Sequence, residues 1–276
     1  MRRRTVAIGT LAAGLAALPG LAYAQAEQQA LVDRATLTVQ EMLSDGDPNA
    51  LRDASSTLAR ARAVIVCPRI FRAGFLFGGQ GGDCVLTARD GAGSWSSPAF
   101  YTIGSASFGL QIGVQDMAVM MMVLTEKGLN AVMDSQFKIG ADASVAVAAI
   151  GAGIAGATTA AVGADIVSFA RTRGLYAGVS LEGSLLSSRS EFNQAYYGRS
   201  VAARQIVVDM QAHNPAADPL RATLMRFSTP GAGGPPPMAA AQQGGAPYQG
   251  GMPMQQGGMP TMQAAPSGTV TRETLR

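Results

Sequence analysis

Between Glu27 and Leu43 (EQQALVDRATLTVQEML) the apolar residues Leu31, Ala35, Val39 and Met42 recur at helical spacing, leaving Asp33, Arg34 and Glu41 toward water. Asp47-Pro48-Asn49 then interrupts the chain and supplies a cap for a second helix, Ala50 to Arg62, which turns Leu51, Ala54, Leu58 and Ala61 to one side. Both read as helices laid on a sheet. After Arg62 the period changes. AVIVCP, AGFLFGG, DCVLTAR, SWSSPAFYTIG, FGLQIGVQ and MAVMMMVLT are short runs rich in branched and aromatic residues, separated by Gly or Pro. Thr125 is placed to cap a short helix, Glu126 to Asp134, with Leu129 and Val132 inward. Strands resume at FKIGADASVAVAAI, ADIVSFARTR and GLYAGVSLEGSLL. The pattern predicts an α+β fold: a curved, largely antiparallel sheet or partial barrel with N-terminal helices packed on it, its glycines admitting the bulges that curvature needs.

The ends are of different material. Arg2, Arg3 and Arg4, the apolar VAIGTLAAGLAAL and the small-residue Ala22-Tyr23-Ala24 form an export signal, so residues 1–24 are expected to be cleaved before Gln25 and the protein to be periplasmic or secreted. From Ser228 the chain is a Pro/Gly/Gln/Met mixture without charge until its last few residues, a composition that buries too little surface to offset ordering. Residues 228–276 are therefore expected to be a disordered tail, available to a protein partner, and residues 25–227 to form one domain. The chain carries 21 Lys and Arg against 18 Asp and Glu, and three of the arginines lie in the signal, so the remainder is balanced. Net charge gives no case for nucleic acid.

One stretch admits three readings. Ala143 to Ala164 holds 22 uncharged residues, and GAGIAG at Gly151 to Gly156 matches the GxGxxG of a dinucleotide turn. As a helix it would extend about 33 Å, enough to cross a bilayer, but ten alanines and four glycines leave little hydrophobic drive. The nucleotide reading lacks a convincing helix after the glycines, and Asp165 and Glu182 are poorly spaced for a ribose. A hairpin remains, with SVAVAAI going out and ADIVSFART returning.

Catalytic chemistry is thinly represented. His213 is the one histidine and has no second His or Cys nearby, which favours a surface residue over a metal ligand. SASFG, Ser105 to Gly109, lacks the first glycine of a nucleophile elbow and reads as strand. Asp142 and Glu182 are isolated acids in strand-like surroundings, read as buried, paired structural acids rather than a carboxylate pair for acid and base work. Tyr196 and Tyr197 read as ring packing with locally satisfied hydroxyls. No cofactor or metal is implied, and the Met-rich tail offers only thin soft-metal clustering.

Local charge is more informative. Arg52, Arg60, Arg62, Arg69 and Arg72 face a single nearby acid, Asp53, and contain no lysine, so their forked guanidiniums suit phosphate oxygens. Arg171 and Arg173, two apart on a strand, would share a face and extend the patch. Cys67 and Cys84 sit in strand-like runs on either side of a Gly-rich turn; antiparallel pairing and export favour a disulfide, with two buried free thiols as the alternative.

The blocks ARAVIVCPRIFRAGFLFGGQGG, WSSPAFYTIGSASFGLQIGVQ, FKIGADASVAV, SFARTRGLYAGVSLEG and NQAYYG, in this order from about Ala59 to Arg199, resemble the SYLF domain. The resemblance implies a non-enzymatic protein in peripheral contact with a membrane. It further implies binding of phosphoinositide-like or other anionic phospholipid headgroups, here expected through Arg60, Arg62, Arg69, Arg72, Arg171 and Arg173. Actin binding, known in some eukaryotic relatives, is not expected of an exported chain. A scaffolding envelope protein acting through protein contacts is the alternative.

Overall fold

The computed structural model describes residues 19–74, 77–108, 113–149, 163–174 and 181–229; for 19–24, 77, 107–108, 148–149 and 173–174 only the backbone is described. The chain divides into two units, 1–234 and 235–276, the second of which lies outside the described residues, as do most of the expected signal, the GAGIAG segment and nearly all of the expected tail.

Two helices come first, α1 (Pro19–Ser44) and α2 (Pro48–Arg60). Asp47 ends the break between them by accepting hydrogen bonds from the Asn49 and Ala50 amides, and Pro48 takes the first helical turn, where its missing N–H costs nothing. Eight strands follow: β1 (Ala63–Gly74), β2 (Phe77–Ala88), β3 (Ala99–Phe108), β4 (Gly113–Val123), β5 (Gln136–Lys138), β6 (Val145–Ala149), β7 (Ile166–Gly174) and β8 (Leu185–Ser188). They form one open, strongly curled sheet in the order β5-β8-β3-β2-β1-β4-β7-β6. Helix α3 (Glu126–Met133) lies between β4 and β5, its first turn capped as expected by Thr125, whose hydroxyl accepts from the Gly128 amide. After β8 come three helices beyond the last predicted strand, α4 (Ser190–Tyr197), α5 (Ala203–Val207) and α6 (Asp218–Ser228).

Both faces of the sheet carry buried apolar side chains, which explains the continuous apolar runs 63–67 of β1 and 117–123 of β4. On one face Val64, Val66, Val85, Phe100, Met120, Met122, Val167 and Phe169 pack against α1, α2, α4 and α6 through Leu31, Ala35, Val39, Leu58, Tyr196, Leu224 and Phe227. Inside the curl, Ile65, Ile70, Leu86, Ile103, Met117, Met121 and Val123 pack with Val132 of α3 and Ile206 of α5. The methionine run of β4 thus alternates between two cores. Tyr196 and Tyr197 meet edge to face at 5.1 Å, and their hydroxyls donate to Gln29 Oε1 and the Pro98 carbonyl.

The hairpin reading of the Gly-rich region is corrected. Residues 145–149 and 166–170 do pair, but in parallel: Val145 is opposite Ile166 and Ala149 opposite Ala170. The cause is Asp165, whose side-chain oxygens accept from the Ser144 amide (3.0 Å), the Ser144 hydroxyl (2.9 Å) and the Thr125 hydroxyl (2.7 Å), while Ile166 donates to the Ser144 carbonyl. These bonds tie the start of β6 to the start of β7, so the two strands must run the same way. Nor is 143–164 one continuous helix, since Val145–Ala149 is strand. Asp142 and Glu182 are also corrected: both are exposed and sit in turns rather than strands.

Candidate lipid-headgroup cleft

The middle of β1 departs from regular pairing. Cys67 is opposite Val119 and Ile70 opposite Met117, so Pro68 and Arg69 together face one residue, Ala118, of β4. This is a β-bulge, and it re-aims the bulged residue away from the ladder. Pro68 suits it because it has no amide to lose. On the other side the bulge pushes backbone into β2: a Cβ at Gly82 would lie 2.2 Å from the Arg69 carbonyl oxygen, so only glycine fits there. A disulfide between Cys67 and Cys84, whose Cα atoms are 4.1 Å apart, fastens β1 to β2 beside the bulge.

The bulge delivers Arg69 to a cleft of about 360 Å³ between the exposed flank of α1 and the outer face of β1, β4 and β7. Arg34, Leu37, Thr38 and Glu41 line it from α1, Pro68 and Arg69 from β1, Asp116 to Ala118 from β4, and Arg171 from β7. Arg69 forks onto Asp116 at 2.9 and 3.0 Å, a geometry that holds the guanidinium charged and raises its pKa further. Arg171 pairs with Glu41 at 2.8 Å and donates to the Asp45 carbonyl. Arg34 is exposed and has no acid partner among the described residues. The cleft therefore holds three guanidiniums on three elements, two of them oriented by carboxylates and one free to meet an anion.

The arginines expected from sequence are dispersed by the fold. Arg69 and Arg171 line the cleft; Arg60 and Arg62 do not. Arg62 is paired with Glu126, and Arg60 donates to the Ser56 carbonyl of its own helix. Arg72 is opposite Gln80 and Gln115, both buried, which places it on the inner face of β1. Arg173 is opposite Asp116 by register, and its side chain lies outside the described residues. The helical period turns Arg34 toward water, and no local signal shows that the exposed flank of α1 forms the wall of a cleft.

His213 has closer neighbours than its sequence context suggested. Its Nδ1 is 3.1 Å from the Ser97 hydroxyl, and its Nε2 is 3.9 Å from Asp218. Ser97 is 3% exposed and its oxygen accepts the Asn214 amide, while Asp218 is engaged by Arg221 at 2.6 Å. Among the described residues no three His, Cys, Asp or Glu are grouped to hold a metal ion, and no helix is long and apolar enough to cross a membrane.

An open curled sheet backed by helices, with an arginine-lined cleft on its outer face, has the features of a binding domain. Residues 104–227 match the Ysc84 family model, described as Las17-binding protein actin regulator, and this part of the chain is similar to that family, also called SYLF. It is 31% identical over 166 residues to LAS seventeen-binding protein 3 of Saccharomyces cerevisiae, covering 59% of this chain and 36% of that protein. Protein YSC84 of the same yeast is 30% identical over 166 residues, covering 59% and 35%. Human SH3 domain-containing YSC84-like protein 1 is 29% identical over 151 residues, covering 54% and 44%. The chain spans less than half the length of these curated relatives.

Proposed function

We propose that the protein is an exported, non-enzymatic module that binds anionic phospholipid headgroups at a membrane surface, with the cleft of Arg34, Arg69 and Arg171 as the headgroup seat. The observation that supports this most is the convergence of three guanidiniums from α1, β1 and β7, against the two carboxylates of Glu41 and Asp116, on one open cleft in a domain of nearly balanced charge. Arg34 contributes an unpaired charge, and the forks of Arg69 and Arg171 are already oriented. Each basic residue near an anionic surface adds about 1 kcal/mol of attraction.

The test is co-sedimentation with phosphatidylcholine vesicles, with and without phosphatidylserine. Pelleting is expected only with the anionic vesicles and falls as salt is raised. Arg34→Glu, which removes one charge and adds its opposite without breaking an ion pair, is expected to weaken binding roughly 30-fold. Equal pelleting with both vesicles, or an unchanged Arg34→Glu variant, overturns the reading. The family description names a protein ligand, so failure of the vesicle test would leave the protein-contact role. Export is tested separately by N-terminal sequencing of the chain recovered from a bacterial envelope fraction, where Gln25 is the expected first residue.

A further inference from the structure

We propose that the end of the sheet where β1 and β7 finish and β4 begins enters the interfacial layer of the bilayer, with Phe71 and Val114 as its apolar contact. The proposal rests on the lipid reading above and says how the cleft meets the membrane. Leu37, Phe71 and Val114 are 63, 43 and 61% exposed. They are not scattered. Leu37 lines the cleft itself, Phe71 is opposite Asp116 of the cleft wall, and Val114 is two residues beyond Asp116 on the same face of β4. The Arg69 guanidinium lies 5.9 Å from the centre of the Phe71 ring, so charge and apolar surface are contiguous.

Gly74, Gly113 and Gly174 mark this end of the sheet: Gly74 is opposite Gly113, and Gly174 is opposite Gln115. A lone exposed apolar residue needs no partner, but a contiguous group bordered by guanidiniums has the composition of an interfacial membrane contact: apolar groups at the acyl boundary, cations at the phosphates. Charge complementarity selects an anionic bilayer as the occupant.

The experiment uses tryptophan as a depth probe. The native Trp95 is 1% exposed and supplies a constant, shielded background. Val114→Trp is mixed with phosphatidylserine-containing vesicles whose acyl chains are brominated, and Val208→Trp, at another exposed apolar position, serves as the comparison. Emission of the Val114→Trp protein is expected to shift to the blue and be quenched, with Val208→Trp unaffected; Phe71→Trp, also exposed, is expected to behave like Val114→Trp. Replacing Phe71 and Val114 together by Ser is expected to weaken vesicle binding roughly tenfold, a loss that persists at high salt. If the proteins pellet with anionic vesicles but Val114→Trp and Phe71→Trp are quenched no more than Val208→Trp, the sheet-end inference is overturned and headgroup binding stands. If none pellets, both are overturned.

Discussion

Asp165 offers the sharpest check on how this sheet is assembled. The residue is 8% exposed, and its carboxylate accepts from Thr125, from the Ser144 amide and hydroxyl, and from Lys127 Nζ at 3.2 Å. The Thr125 hydroxyl, followed by the Ser144 amide, holds its pKa well below the usual carboxylate range. Lys127 is largely exposed and contributes little, because its ammonium can return to water. The other three donors are part-buried, and stranding them costs about 1 to 3 kcal/mol for each that water cannot reach. Asp165→Ala is therefore expected to destabilise the fold by about 3 to 5 kcal/mol, and Asp165→Asn, which keeps one acceptor oxygen, by about 2 kcal/mol. For a domain of this size the Ala variant would melt roughly 10 °C lower. A depressed folded-state pKa stabilises above the unfolded value of about 3.9 and loses that contribution as pH falls through the folded value. The stability gap between the native chain and Asp165→Asn should hence be constant above about pH 5 and narrow below pH 4, measured by urea denaturation at each pH. A loss under about 1 kcal/mol for Asp165→Ala, or a gap that widens in acid, would refute the assignment of this carboxylate as the tie between β6 and β7.

Two further perturbations address the bulge that positions Arg69. Gly82→Ala should destabilise by about 1 to 3 kcal/mol because its methyl group would displace the Arg69 backbone, and should also weaken anionic-vesicle binding; unchanged stability would mean that the bulge has another seat. Replacing Cys67 and Cys84 together by Ala should lower the guanidinium unfolding free energy by about 3 kcal/mol, the loop-closure value for a bridge across 17 residues, and a difference below about 1 kcal/mol would contradict that assignment.

Tyr197→Phe removes a hydroxyl that donates to the Pro98 carbonyl at 2.7 Å, and about 1 kcal/mol is the expected cost in the same denaturation assay. No change would show that water replaces the bond.

The helices of the first half, their caps at Asp47 and Thr125, the strand-rich middle and the strands that carry the two cysteines were all legible in the sequence, because side-chain period and capping chemistry are fixed within a few residues of chain. The α6 stripe of Leu220, Leu224 and Phe227 is legible in principle, since its spacing is helical and Pro219 stands in the first turn, where a helix tolerates it. Strand direction was not legible. An alternating run pairs equally well either way, and the choice between hairpin and parallel ladder was made by Asp165 reaching back 21 residues to Ser144. The cleft was not legible either, since neighbouring arginines in sequence were sent to different places, Arg62 to Glu126 and Arg69 to Asp116, while Arg34, Arg69 and Arg171 were gathered from three distant elements. Local periodicity specifies which face of an element is apolar. Which elements then share a wall depends on long-range register, and that is decided only when both faces of the curled sheet are packed.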